Sequence, residues 1–315
     1  MSDSQILFQH GMSIPEFLAC FGTDAQCAET AKRAPWPDGF RCSGGKHHAV
    51  GHGARKLFQC NGCRHQTSLI AGSPLEHTKL PLTTWPLATY LISQSKIGSS
   101  ALALKHQLGV SYPTAWLLHQ KIDGAMAQQH DTALLSGARQ FDHARLESER
   151  VGGKAGRGSE NKVPAVATVS LNDKGHPLYL ELNLVSGFTS QAIRKWASAP
   201  LVRGAWVTSD GLGCFAAGTN GGFTHPPAVV GALKPRELPQ FKWVNIVLRN
   251  LKTTLAGAFH SLNYRKYAGQ YLCAFASRFN HRFDLRSLVA RAIVDVVRSR
   301  LAKEEVVRIH AETSF

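Results

Sequence analysis

The chain has 315 residues, 43% of them hydrophobic, enough for a real core and for about two or three domains. Its 36 Lys and Arg outweigh 21 Asp and Glu, leaving a net charge of +15 with a pI near 9.8, so the expected partner is a polyanion, nucleic acid foremost. No uninterrupted apolar stretch could span a bilayer, and "MSDSQILFQHGMS" lacks the basic-then-apolar order of a signal peptide, which excludes a membrane class and points to the cytoplasm.

Residues 13–33 read as two short helices. Ser13 can cap the first, with Pro15 in its first turn and Gly22 after its end; Thr23 or Asp24 can cap the second. "APWPDGF" follows as a linker. Residues 40–72 then crowd Gly, Cys and His around two short β-like runs, too few apolar side chains for a core of their own, so a metal staple is the expected remedy. Cys60-Asn61-Gly62-Cys63 is one half of a zinc-ribbon pattern. In the other half Cys42 is present, but Gly45 stands where a second cysteine would sit. The fourth ligand then falls to His47, His48 or His52, since zinc accepts three thiolates and an imidazole. A ribbon without its metal and a bare redox CxxC are the alternatives. The second is disfavoured because no thioredoxin-like strand and helix surround the pair. Seven cysteines, an odd number, argue for metal or free thiols in a reducing compartment rather than disulfides.

Residues 80–128 are expected to be helical. "LTTWPLATYLISQSK" is one helix, with Pro86 in its first turn or kinking it. "SSALALKHQLGVSYPTAWLLHQKIDGAM" reads as helix, turn, helix, with Ser99 or Ser100 capping the first, Gly109 closing it and Ser111 capping the second. That is the helix-turn-helix pattern. Its second helix, Ser111 to Met126, is expected to carry sequence preference in a major groove, with Tyr112, Thr114 and His119 as candidate contacts.

From 137 onward strands and helices alternate. "GARQFDHARL", "VPAVATVSLN" and "HPLYLELNLV" are strands, the last two joined by the turn signal "DKG". "TSQAIRKWASAP" is a helix, "AWVTSD" a strand, and "LPQFKWVNIVLRNLKTTLAGAFH" a longer helix, so the segment is a mixed α/β sheet. "RFNHRFDLRSL" reads as a closing helix and a turn. Between the first two strands "GGKAGRGSENK" is a glycine-rich basic loop. It lacks the spacing of a nucleotide-binding P-loop and is read as a DNA-backbone contact through Lys154, Arg157 and Lys162.

Asp142 lies in the first of these strands and Asp210 at the tip of a later one. Asn245 follows 35 positions on, and Lys252 seven further, nearly two helical turns and so on the same helix face. Taken alone, Asp210 is equally a turn residue, Asn245 a helix polar group and Lys252 a surface charge. Together the spacing looks like a DDE-type transposase core on an RNase H-like fold. The words "WPDGFRC", "FQCNGCRHQTSLIAG", "TKLPLTTW", "GGKAGRGSENKVP", "SDGLGCF" and "FKWVNIVLRNLKT" resemble the ISXO group of bacterial insertion-sequence transposases, from about Phe17 to about Leu288. The resemblance implies a zinc ribbon joined to a catalytic core. In that core Asn replaces Glu as the third ligand, and Lys252 corresponds to the lysine that follows it.

It further implies terminal inverted repeats and target DNA as partners, a homo-oligomer in the synaptic complex, and a bacterial cytoplasmic, nucleoid-associated setting. Two Mg²⁺ ions would serve the attacking and leaving oxygens, held by Asp142, Asp210 and Asn245, with Lys252 at a phosphate. In the group the first Asp is followed by a second acid, an aromatic and two glycines; here His143, Arg145, Glu147 and Ser148 take those positions. With Gly45, these departures keep two other classes in play: a DNA-binding relic or repressor, and an RNase H-like nuclease. The expected organisation is an N-terminal helical segment (1–37), a zinc-ribbon-like segment (38–75) and a helix-turn-helix (76–130). An RNase H-like core (137–285) and a C-terminal helical tail (286–315) complete it.

Overall fold

The computed structural model describes residues 11–34, 36, 42, 49–52, 57–95, 98–128, 138–147, 162–197, 206–208, 212–221, 238–258 and 264–300. These fall into two compact units. One contains the described residues up to 128 together with 281–300, the other those from 138 to 280.

The first unit opens with α1 (Ile14–Phe21) and α2 (Asp24–Arg33), each started by a reciprocal cap. Ser13 pairs with Glu16 and Thr23 with Gln26, so two otherwise orphaned backbone N–H groups are satisfied at each start. Phe17 and Phe21 are the buried face of α1, and Phe17 lies 4.7 Å from the ring of Tyr90. A three-stranded antiparallel sheet follows: β1 (Ala49–His52), β2 (Leu57–Cys60) and β3 (Gln66–Ser68).

Then come α3 (Thr84–Gln94), α4 (Ala101–Leu108) and α5 (Tyr112–Gln128). Pro86 falls in the first turn of α3, where its missing N–H costs nothing. Ser100 Oγ accepts from the Ala103 N–H at the start of α4. Gly109 ends that helix at φ +65°, a left-handed conformation that a side chain disfavours. Ser111 Oγ then accepts from the Thr114 N–H to start α5.

The second unit is built on β4 (Ala138–Glu147), β5 (Lys162–Leu171), β6 (Pro177–Leu184) and β7 (Trp206–Thr208), in the order β6-β5-β4-β7. The first three are antiparallel neighbours, and β7 runs parallel to β4. The β5–β6 turn is held by Asn172 Oδ1, which accepts from the N–H groups of Lys174 and His176, with Gly175 at φ +73°. After β6 come α6 (Ser190–Ala197), two 3₁₀ segments (Gly213–Gly221 and Pro239–Phe241), α7 (Lys242–Ala258) and α8 (Tyr264–Asn280).

Alternation along β5 divides the core. Val163, Ala165, Ala167 and Val169 meet Val244, Val247 and Leu251 of α7 on one face, while Val166 meets Ile193 of α6 and Phe215 on the other. At the edge of the sheet the Asn280 side chain both donates to the Leu180 carbonyl and accepts from its N–H, occupying backbone groups of β6 that would otherwise be open.

The last helix, α9 (Leu285–Arg298), is capped by Asp284 and returns to the first unit. It packs on α3 and α5 and buries Val289, Ile293 and Val296. The segment expected as a tail therefore contributes core to the N-terminal half. Among the described residues no helix is long and apolar enough to cross a membrane.

Candidate metal centre and acidic site

Cys60 ends β2, and the turn that follows is closed by the Arg64 N–H on the Cys60 carbonyl at 2.9 Å, with Arg64 at φ +61°. The turn carries Cys63 back beside Cys60, and Cys42 completes a group whose three sulfurs lie within 4.8 Å of one another; Cys42 and Cys63 are 3.5 Å apart. Backbone N–H groups, that of Cys63 first and that of Gly62 after it, hold the Cys60 thiol below its ordinary pKa against the opposing effect of burial. The His65 N–H draws the Cys63 thiol down, but its Cys42 and Cys60 neighbours, with burial, push it up on balance. Soft sulfurs gathered with N–H donors that favour thiolate fit Zn²⁺, whose four-coordinate sites take Zn–S bonds of about 2.3 Å. His47 and His48 lie outside the described residues, and of His52 only the backbone, at the end of β1, is described.

In the second unit, Asp142 sits in β4 opposite Ala167 of β5. Paired residues point to the same side of a sheet, and Ala167 belongs to the core under α7 and α8, so Asp142 faces that side too. Gln140, two residues earlier, shares this face. Its Oε1 accepts from the Trp243 and Val244 N–H groups at the start of α7, at 3.0 and 3.1 Å. Asn245, half-buried, follows directly on that helix, and Lys252 is exposed two turns along. Arg249 falls between them on the same stripe and is also exposed. Asp142 thus lies on a strand, and Asn245 and Lys252 on a helix, of the same unit. Asp210 lies outside the described residues.

The expected DNA contacts divide. Tyr112 is 49% exposed at the start of α5. Thr114 is half-buried, and its hydroxyl meets Ser111 Oγ at 2.8 Å within the cap. His119 is a correction: it is buried with 3% of its surface exposed, its Nε2 is 2.6 Å from the Ser99 carbonyl and its Nδ1 is 3.0 Å from Asp123. One turn of helix separates His119 from Asp123, so the imidazole points into the bundle and ties α5 to the residue before the α4 cap. Lys154 and Arg157 lie outside the described residues. Lys162 opens β5, with only its backbone described.

Sequence reasoning passed over Gln140. The signal was available: α7 is preceded by Pro239-Gln240-Phe241, with no Ser, Thr, Asp or Asn where a helix of its kind finds its cap, so the cap had to come from elsewhere in the chain.

One unit with a mixed sheet that carries Asp142 on its helix-covered face, and another with a three-cysteine knuckle, define a zinc-ribbon protein with an α/β domain. An ISXO2-like transposase domain matches residues 129–280, and a transposase zinc-ribbon domain matches residues 22–66. The chain belongs to the ISXO2-like insertion-sequence transposases, which are DNA-binding enzymes of the DDE type. No curated protein matches it.

Proposed function

We propose that the chain binds terminal inverted repeats, cleaves them, and joins the freed 3′-hydroxyl ends to target DNA through an Asp142, Asp210, Asn245 and Lys252 site. The observation that carries this reading is the placement of Asp142 on the sheet face covered by the helix that bears Asn245 and Lys252. The strand order β6-β5-β4-β7 supports an RNase H-like core, in which the first and fourth strands lie side by side. The β4–β7 ladder runs Ala138↔Trp206, Arg139↔Val207, Gln140↔Thr208, and two residues beyond its last rung the two sequences reach Asp142 and Asp210.

A carboxylate and an amide oxygen are hard donors, which suits Mg²⁺ and not the metals that thiols select. Bound Mg²⁺ would supply activation of the attacking oxygen and neutralisation of charge at the phosphorus. Asp142 and Asp210 would hold it as anions, Asn245 as a neutral donor that binds its ion less tightly, and Lys252 would meet a DNA phosphate as a point charge. In cleavage, water displaces the 3′ oxygen of the element's end; in joining, that 3′-hydroxyl displaces a bridging oxygen of the target. Each step forms one P–O bond and breaks another.

Upstream, α4 and α5, separated by Gly109–Ser111, support a helix-turn-helix with Tyr112 on its outer surface, and the three converging cysteines support a structural zinc, with His47, His48 or His52 expected as the fourth ligand. The basic loop around Lys154 and Arg157 is assigned general backbone affinity, and a homo-oligomer is expected to synapse two ends.

The test is a cleavage and joining assay on a DNA end with Mg²⁺. Wild type is expected to join, whereas Asp142→Ala and Asp210→Ala bind the same end but neither cut nor join. Binding without any strand transfer by the wild type would instead identify a DNA-binding relic, and cutting without joining a nuclease.

A further inference from the structure

We infer that Gln140 is a positioning residue: by capping the first turn of α7 it fixes the helix carrying Asn245 against the strand carrying Asp142, and so sets the separation of the two oxygen donors. The inference rests on the metal-site reading above.

Two neighbouring N–H groups at a helix start both require an acceptor. Only the oxygen of the Gln140 amide can take both, so its orientation is determined by the pair of bonds at 3.0 and 3.1 Å. Gln140 is buried to 6% exposure, so water cannot substitute for it cheaply. The contact spans 103 residues of sequence to Trp243 and 104 to Val244, making it a tertiary restraint between two elements and not a local cap.

Its position is what gives it a role beyond stability. Gln140 and Asp142 are i and i+2 on β4 and share a face; Val244 and Asn245 are consecutive on α7. A hydrogen-bonded link thus joins the two ligand-bearing segments within two residues of one ligand and one residue of the other. Packing of Val244 and Val247 on β5 holds the helix to the sheet, but apolar contact tolerates sliding along the strand. The paired bonds to one oxygen do not. Groups that orient metal ligands from behind typically affect affinity by about 10- to 100-fold when removed.

The full-length chain serves for the test, with Mn²⁺ as the probe and calorimetry and amide hydrogen exchange as readouts. Gln140→Met keeps the length and removes the acceptor. It is expected to weaken Mn²⁺ binding at the Asp142 site by about tenfold while zinc content is unchanged, and to speed exchange at Trp243 and Val244. Gln140→Asn withdraws the acceptor by one methylene and is expected to do the same in milder form, which covers the case in which Gln140→Met does not fold. Gln140→Glu keeps the acceptor and adds charge at the positive end of the helix, and is expected to restore both affinity and protection. Faster exchange at Trp243 and Val244 with Mn²⁺ affinity unaltered would overturn the positioning role and leave Gln140 a cap only. Equal losses in Gln140→Glu and Gln140→Met would overturn it as well. A wild-type chain that binds no Mn²⁺ sensitive to Asp142→Ala would overturn the metal-site reading itself, and the inference with it.

Discussion

At the scale of single residues, His119 and Asp142 show how a sequence position acquires meaning from its neighbours. His119 lies on a helix expected to read DNA, yet its ring is enclosed between the Ser99 carbonyl and the Asp123 carboxylate. Removing one member of such a buried pair strands the other. His119→Leu is therefore expected to destabilise the first unit by about 3 kcal/mol or more, whereas the combined His119→Leu, Asp123→Leu chain should recover most of that loss. Thermal unfolding of the three chains measures it, and a His119→Leu chain of unchanged stability with altered DNA preference would return His119 to the DNA face. Asp142 has the opposite character: it is half-buried on the α7 side of the sheet, and in the proposed site its charge would hold a metal ion. Asn245, its proposed partner ligand, offers a finer probe. Asn245→Asp adds a charged donor, so activity is expected to persist and to reach half its maximum at lower Mg²⁺ than in wild type. A higher Mg²⁺ requirement would argue against Asn245 as a ligand.

At the scale of elements, much was legible because local chemistry decided it. Both N-terminal helices start at the residues whose side chains can cap them, and the β5–β6 turn falls on the Asn172–Gly175 sequence that favours it. Gly109 and Ser111 likewise mark the end of α4 and the start of α5. What was not legible is non-local. The docking of α9 on α3 and α5 depends on an apolar stripe that any partner could cover. The capping of α7 by Gln140 depends on a residue about a hundred positions away. The cysteine site was legible in part: Cys42, Cys60 and Cys63 converge, because a CxxC turn and one distant cysteine are enough to specify the geometry. With so small a sheet around it, the metal is expected to carry much of the ribbon's stability. Purified protein should hold about one Zn²⁺ per chain, and Cys60→Ser should lose it together with part of the thermal stability. Metal analysis of protein prepared without chelator, showing none, would leave a ribbon that folds unaided.

At the scale of the whole molecule, the net charge of +15 belongs to a protein whose partner is a polyanion. Affinity for any DNA is expected to fall steeply with salt, because each phosphate neutralised releases counterions. Substituting Lys154 and Arg157 together should lower affinity across sequences and flatten that salt dependence, without changing which sequence is preferred. A change of preference, measured by competition between specific and unrelated DNA, would move sequence recognition into the loop. The two units thus divide the work proposed for them, recognition around α5 and chemistry on the β4–β7 sheet.

Whether Asp142, Asp210 and Asn245 form one metal site decides the proposed function most directly. Fe²⁺ in place of Mg²⁺, with ascorbate and peroxide, generates hydroxyl radicals that cut the backbone near the bound ion. The prediction is a set of cuts clustered at the segments around 142, 210 and 245, suppressed by excess Mg²⁺ and absent from Asp142→Ala. Any cuts near the cysteine cluster should be insensitive to Mg²⁺. Cuts at only one of the three segments, or a pattern that Asp142→Ala leaves unchanged, would contradict the shared site.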